Sequence, residues 1–215
     1  MKTRKEFLDN IGSPLKDVKW KKYPFGNVRQ YWAENPRLYS KFFKENDQLN
    51  YHVAGHPGID VATFEGDDVL SMHDGYVYAI KTDRHSLGGL VIWIASDELD
   101  DNGEIIVVSS VYGHLSEIKV NIGQRVEKGY IIGLEGNTGF VISGGTPYWG
   151  NAPAGKGIHL HFGMYEFKDG KKRYNNPMKG SLDPLPFITE GKNVEGLMIV
   201  LANIKSYLTS LLSKF

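Results

Sequence analysis

Ile158-His159-Leu160-His161-Phe162-Gly163-Met164 sets apolar residues at 158, 160, 162 and 164 against His159, His161 and Gly163 at the alternate positions. In a strand the two sets point to opposite faces of a sheet. One face enters a core. The other presents two imidazoles side by side, with a glycine next to them that leaves room for something to approach. The competing reading is an exposed strand face with two incidental histidines, and the rest of the chain has to decide between them.

Working outward, Val77 to Ile80, Leu90 to Ala95 and Ile105 to Val111 are rich in Val, Ile, Tyr and Trp and are bounded by Asp74-Gly75, Gly88-Gly89 and Asn102-Gly103. Such segments read as strands. Asn102-Gly103, within the polar stretch Ser96 to Glu104, predicts a hairpin between the two strongest of them. From about Val18 to Phe187 the chain reads as short strands punctuated by glycine, so the expected fold is mainly β. Val141 to Gly157 holds five glycines and two prolines among aromatics and is read as one long irregular loop, of the kind that is often functional. Residues 1–17 read as a charged lead-in and 18–190 as the domain. Residues 191–215 read as a C-terminal amphipathic helix, with Val194, Leu197, Leu201, Ile204, Leu208, Leu211 and Phe215 on one stripe. That stripe folds back onto its own domain, or serves self-association, a membrane surface or a protein partner.

The 215 residues carry equal numbers of acidic and basic side chains and no cysteine. A general electrostatic grip on nucleic acid is therefore not expected. Disulfides, thiolate nucleophiles and cysteine-bound metals are excluded. A metal here must be held by His, Asp, Glu or backbone oxygen, and a histidine-rich site favours zinc over magnesium or calcium. The N-terminus has no apolar stretch of signal-peptide length, so export by the usual secretory route is not expected.

Gly55-His56-Pro57-Gly58-Ile59-Asp60 adds two more polar candidates. A straight strand would separate residues 56 and 60 by about 13 Å, but Pro57-Gly58 can bend the chain and shorten that distance. Alone, a His and an Asp in a turn need no metal. With the 159/161 pair they supply the recipe for catalytic zinc, three protein ligands and an open position. His114 closes an apolar strand in Val111-Tyr112-Gly113-His114-Leu115. His73 and His85 have no partner in sequence and read as ordinary surface or structural histidines.

Taken together, these segments resemble the M23 family of zinc metallopeptidases, the lysostaphin-like and LytM-like cell-wall endopeptidases. The resemblance lies in His56-x-x-x-Asp60, Tyr112-Gly113-His114-Leu115 and His159-Leu160-His161, in the family's order. Asp74-Gly75-Tyr76-Val77, Gly123 to Gly129 followed by Ile131-Ile132-Gly133, and Gly136-Asn137-Thr138-Gly139 are also similar to it, as is Val28 to Trp32 upstream. It covers roughly residues 26 to 168.

The resemblance implies antiparallel sheets of the M23 (duplicated hybrid motif) type and one Zn2+ per chain held by His56, Asp60 and His161. It implies His114 and His159 as the catalytic pair and bacterial peptidoglycan as substrate, with action at the cell envelope or outside the cell; the lack of a signal-peptide stretch fits a phage-type lysin. Tyr148, Trp149 and Asn151, in a loop longer than the family's usual linker, are candidates for a wall of the substrate groove, and Tyr51 for oxyanion support. Two rivals stand beside this reading. One is a catalytically silent binder of the same fold that activates cell-wall hydrolases; the presence of all five polar positions argues against it. The other is a carrier module, suggested by Val120 to Leu134. Lys119, Lys128 and Lys156 lack the neighbours of an attachment lysine, and that likeness is one of fold alone.

Overall fold

The computed structural model describes residues 1–3, 6–7, 10–46, 52–100 and 102–189. Tyr51 and the helix expected over 191–215 lie outside the described residues. The strands are β1 (Lys2–Thr3), β2 (Val28–Gln30), β3 (Ile59–Val61), β4 (Asp68–Leu70), β5 (Gly75–Lys81), β6 (Leu90–Leu99), β7 (Ile105–Leu115) and β8 (Glu117–Ile118). They continue with β9 (Arg125–Val126), β10 (Ile131–Leu134), β11 (Val141–Ser143), β12 (Thr146–Tyr148), β13 (Leu160–Lys168), β14 (Lys171–Lys172) and β15 (Ser181–Leu182). Helices α1 (Pro36–Glu45) and α2 (Leu185–Thr189) join them.

The main sheet runs β2-β3-β13-β7-β6-β5-β9, with β1 on β6 and with β14 and β15 on β13. A smaller sheet runs β4-β10-β8. Apart from the parallel β1–β6 pair, these named strands pair antiparallel. The fold is mainly β, as the strand-rich composition predicts.

Alternation does the sorting. Leu160, Phe162 and Met164 are fully buried with Ile59, Val61, Tyr112, Ile92, Ile94 and Leu115. Each such side chain withdrawn from water contributes roughly 1.5–3 kcal/mol. Opposite Phe162 stands Tyr112, and opposite His161 stands Gly113. The register therefore puts His161 on the face away from the core. Phe7 and Leu15 also enter the core.

The predicted hairpin at Asn102-Gly103 joins β6 to β7, with Leu99 opposite Ile105. Both strands extend beyond their apolar segments. The turn between them is held by polar partners: Asp100 accepts backbone N–H bonds from Asn102 and Glu104, and Arg173 bridges Asp100 and Glu166 at 2.8 and 3.3 Å.

Two expectations are corrected. Val141 to Gly157 is not wholly irregular, because β11 and β12 form a hairpin with Ser143 opposite Thr146. Gly144 and Gly145 supply positive φ values of 57° and 81°, as a tight two-residue hairpin turn requires. The run of short strands is also interrupted by α1, which starts at Pro36, where the missing N–H costs nothing. Its Tyr39, Phe42 and Phe43 share one face by their spacing.

His73 is structural. It is buried, its Nδ1 donates to the Asp74 carbonyl at 2.8 Å, and its Nε2 lies 2.9 Å from Ser110 Oγ. Burial pushes its pKa down to about 4.

Candidate metal centre

The site forms on the outer face of β3, β13 and β7. Asp60 lies opposite His161 across the β3–β13 ladder, so the two side chains stand on one face. His56 precedes β3, and the bend at Pro57-Gly58 brings its Nε2 to 3.0 Å from Asp60 Oδ1. The straight-strand separation is thus removed, as the sequence predicts.

His56 Nε2, Asp60 Oδ1 and His161 Nδ1 form a triangle with all three sides 3.0 Å. His56 Nδ1 donates to the carbonyl of Tyr31 at 3.2 Å, so that once Nε2 gives up its proton to a metal the ring turns a lone pair into the triangle. The ring is fixed from behind by backbone bonds from Ala33 to the His56 carbonyl and from His56 to the Glu34 carbonyl. Burial would raise the Asp60 carboxyl, but His56 and His159 charges and hydrogen bonds from His161 and His56 hold it well below the usual range. Burial pushes His161 down. These three residues are the group that converges as a metal site among the described residues.

Glycines make the room. A Cβ at Gly58 would stand 2.8 Å from His161 Cε1 and 2.5 Å from the Phe162 carbonyl oxygen. Gly113, opposite His161, lies beneath its side chain, where a Cβ would make only ordinary contact with His161 Cβ at 3.5 Å.

His114 reaches the site by a break in alternation. In a regular strand it would share the core face with Tyr112. Between the pairs Ile92–Tyr112 and Leu90–Leu115, however, β7 carries one residue more than β6. This bulge places His114 at φ 61° and sends its side chain to the outer face. A non-glycine residue held there is strained. The His114 N–H donates to the Gly88 carbonyl at 2.8 Å, and its Nδ1 donates to the Thr138 carbonyl at 2.7 Å. Thr138 is itself pinned, donating through Oγ1 to the Leu115 carbonyl and accepting from Leu90 N–H. Gly139 has φ 86°, and a Cβ there would come within 2.3 Å of Gly89 N. The turn Gly136 to Gly139 therefore packs against the chain that holds His114.

His159 lies just before β13, with its Nδ1 donating to the Gly157 carbonyl at 2.8 Å and its Nε2 3.7 Å from Asp60 Oδ2. Its ring faces His114 at 4.5 Å between centroids. Both imidazoles spend Nδ1 on a carbonyl and so keep Nε2 free to accept a proton. Burial, followed by the neighbouring His159 and His161 charges, drives His114 well below its ordinary value. It is neutral near pH 7.

One side of the site is aromatic. Tyr39 of α1 lies 5.9 Å from the His56 ring, and Phe42 stacks on Phe140 at 4.7 Å. Phe140 in turn meets Trp149 at 4.6 Å. Trp149 is exposed and Tyr148 partly so. Asn151 instead accepts from Arg84 and bridges to Thr138. Sequence reasoning missed the α1 residues, Gly58's role and the carbonyls of Tyr31, Thr138 and Gly157. The Asn35-Pro36 pair is a helix-start signal for α1; backbone carbonyls leave none.

The chain is 28% identical over 152 residues to the endolysin of Staphylococcus phage 2638A, covering 65% of this chain and 27% of that protein. It is 30% identical over 158 residues to the peptidoglycan DD-endopeptidase ShyA of Vibrio cholerae, covering 73% and 29%. The chain thus spans under a third of the length of either relative. Among solved structures it is similar to LytU, with 27% identity, a TM-score of 0.46, and coverage of 79% of this chain and 89% of that one. The model of peptidase family M23 matches residues 54–177, more than half of the chain and all five of the polar site positions. The chain belongs to peptidase family M23.

Proposed function

We propose that this chain is a zinc metalloendopeptidase that hydrolyses peptide bonds in bacterial peptidoglycan. The observation that carries the reading is the 3.0 Å triangle of His56 Nε2, Asp60 Oδ1 and His161 Nδ1 beside the facing His114–His159 pair. The donor set fits one zinc ion. Bonds of about 2.0–2.2 Å in a tetrahedral site space the donors roughly 3.3 Å apart, within a few tenths of the triangle. Two nitrogens and one carboxylate, with no thiolate, are a catalytic rather than a closed structural set. Bound there, zinc supplies Lewis acidity to a peptide carbonyl and acidifies a water towards neutrality.

The chain's own residues supply the rest. His56, Asp60 and His161 hold the ion. His114 and His159 present Nε2 towards the same space, and one takes the proton of the attacking water. The other, when it carries a proton on Nε2, stabilises the oxyanion or gives that proton to the leaving amine. Tyr148 and Trp149 line the groove beyond Phe140. The reading sets the protein's work at the cell envelope or outside the cell, including that of a phage-type lysin; the similarity to a phage endolysin supports this.

The test is zinc content and product release measured together. Purified protein should hold about one zinc and release peptides from cell walls, and His161→Ala should lose both. A parent protein without stoichiometric zinc and without released peptides would overturn the reading. Digesting walls with glycine bridges and walls with direct D-amino-acid crosslinks, then weighing the products, assigns the bond.

A further inference from the structure

We propose that Asn137 is a positioning residue for His159: its carboxamide anchors the returning end of the loop between Gly139 and His159, and so keeps the Gly157 carbonyl on the imidazole. The inference rests on the role in proton transfer proposed above for His159.

His159 is tethered to two main-chain carbonyls. Its N–H donates to that of Gly136 at 3.1 Å, and its Nδ1 to that of Gly157 at 2.8 Å. The first carbonyl belongs to the turn Gly136 to Gly139, which also orients His114 through the Thr138 carbonyl. The second lies near the end of the 19-residue connection 140–158. Gly157 stands at φ 65°. A glycine does little to fix its own backbone, so the aim of that carbonyl depends on what holds the residues before it.

Asn137 supplies that hold. It is buried, and its Nδ2 donates to the carbonyls of Lys156 at 3.0 Å, Ala152 at 3.2 Å and Pro153 at 3.3 Å. The Lys156 carbonyl belongs to the peptide unit that leads into Gly157. Only an amide nitrogen suits this place, because an oxygen would face three like oxygens with no proton to give. One side chain thus closes the loop's return against the turn that carries the Thr138 carbonyl, and a single short segment serves both imidazoles. The outgoing part of the loop is tied separately. Gly139 and Gly150 exchange backbone bonds at 2.8 and 3.0 Å, Thr138 bridges to Asn151, and Arg84 donates to Asn151 at 3.0 Å. Tyr148 and Trp149, next to these ties, do not depend on Asn137 for their place.

The experiment measures zinc per chain, metal-free melting temperature, and kcat and KM for peptide release from cell walls. It compares the parent, Asn137→Asp, Asn137→Ser and His161→Ala. Ionised aspartate has the shape of asparagine but no proton to donate, and serine has one donor on a shorter stem. Both Asn137 variants should keep their zinc and lose about 10- to 100-fold in kcat, as expected for an imidazole displaced by about an ångström. KM should stay within about threefold of the parent, because the Trp149 part of the loop has its own ties. A kcat within about threefold of the parent in either folded variant overturns the role of Asn137. A rise in KM alone also overturns it and assigns the anchored loop to the groove wall. Loss of fold or of zinc in both variants overturns it too and makes Asn137 a structural residue. A parent that releases no more peptide than His161→Ala overturns the proton-transfer reading itself, and this inference with it.

Discussion

His114 and His159 face each other with ring centroids 4.5 Å apart and planes inclined at 50°, although 44 intervening residues separate them in the chain. Each is oriented by one main-chain carbonyl, that of Thr138 or of Gly157. Neither contributes an atom to the His56–Asp60–His161 triangle. On the proposed reading, metal binding and proton transfer are therefore separable by mutation.

His114→Ala should retain about one zinc per chain and lose roughly 10²–10⁴-fold in kcat for wall cleavage. Zinc analysis and single-turnover peptide release on the same preparation check this. Normal cleavage by His114→Ala would remove that residue from the mechanism.

Gly58→Ala should disturb the metal centre without altering any ligand. Its Cβ would meet the Phe162 carbonyl at 2.5 Å and the His161 ring at 2.8 Å, so the ring or the strand must move. Zinc affinity should fall at least about tenfold, with roughly 1–3 kcal/mol of lost stability. Chelator competition and urea unfolding read the two effects separately.

Glu135 is buried with its carboxylate on the backbone and hydroxyl of Thr63. Burial raises its pKa from 4.5 to about 7. The folded state thus holds the proton more tightly than the unfolded chain. Its contribution is complete below about pH 4.5 and is lost as pH rises through about 7. Glu135→Gln should therefore stabilise the protein by about 1–3 kcal/mol at pH 8 and lose that advantage by about pH 4.5. Metal-free urea denaturation across that range decides it; an equal effect at both ends would contradict the buried-carboxyl account.

Trp149 is exposed at the end of the Phe42–Phe140–Trp149 series of ring contacts. Trp149→Ala should raise KM several-fold for cell-wall substrate and leave kcat and zinc content close to parental values. A fall in kcat with KM unchanged would place it in the chemistry instead of the groove wall.

Much of the framework is legible in the chain itself. Period-two alternation in Ile158 to Met164 fixes which side of β13 is core and puts His159 and His161 opposite it, because successive strand residues face opposite ways. Pro57-Gly58 announces the bend that brings His56 to Asp60. The Gly144-Gly145 turn and the Asn35-Pro36 helix start are also written there. They are submerged by composition, since the glycine-rich aromatic stretch reads as loop and the strand-rich surroundings hide α1.

The histidine constellation with which the sequence begins its argument is thus determined by residue type and spacing. Its closure is not. His114 would face the core under strict alternation, and it is turned outward by one extra residue in a ladder. A bulge depends on how two distant strands register, and register is settled by core packing on the other face of the sheet. The 3.0 Å triangle, the carbonyls that orient three imidazoles and the wall built from α1 and Phe140 arise the same way. The triangle and the wall join side chains remote in sequence, and the carbonyls of Tyr31 and Thr138 act through backbone atoms, which are alike at every position and carry no sequence signal.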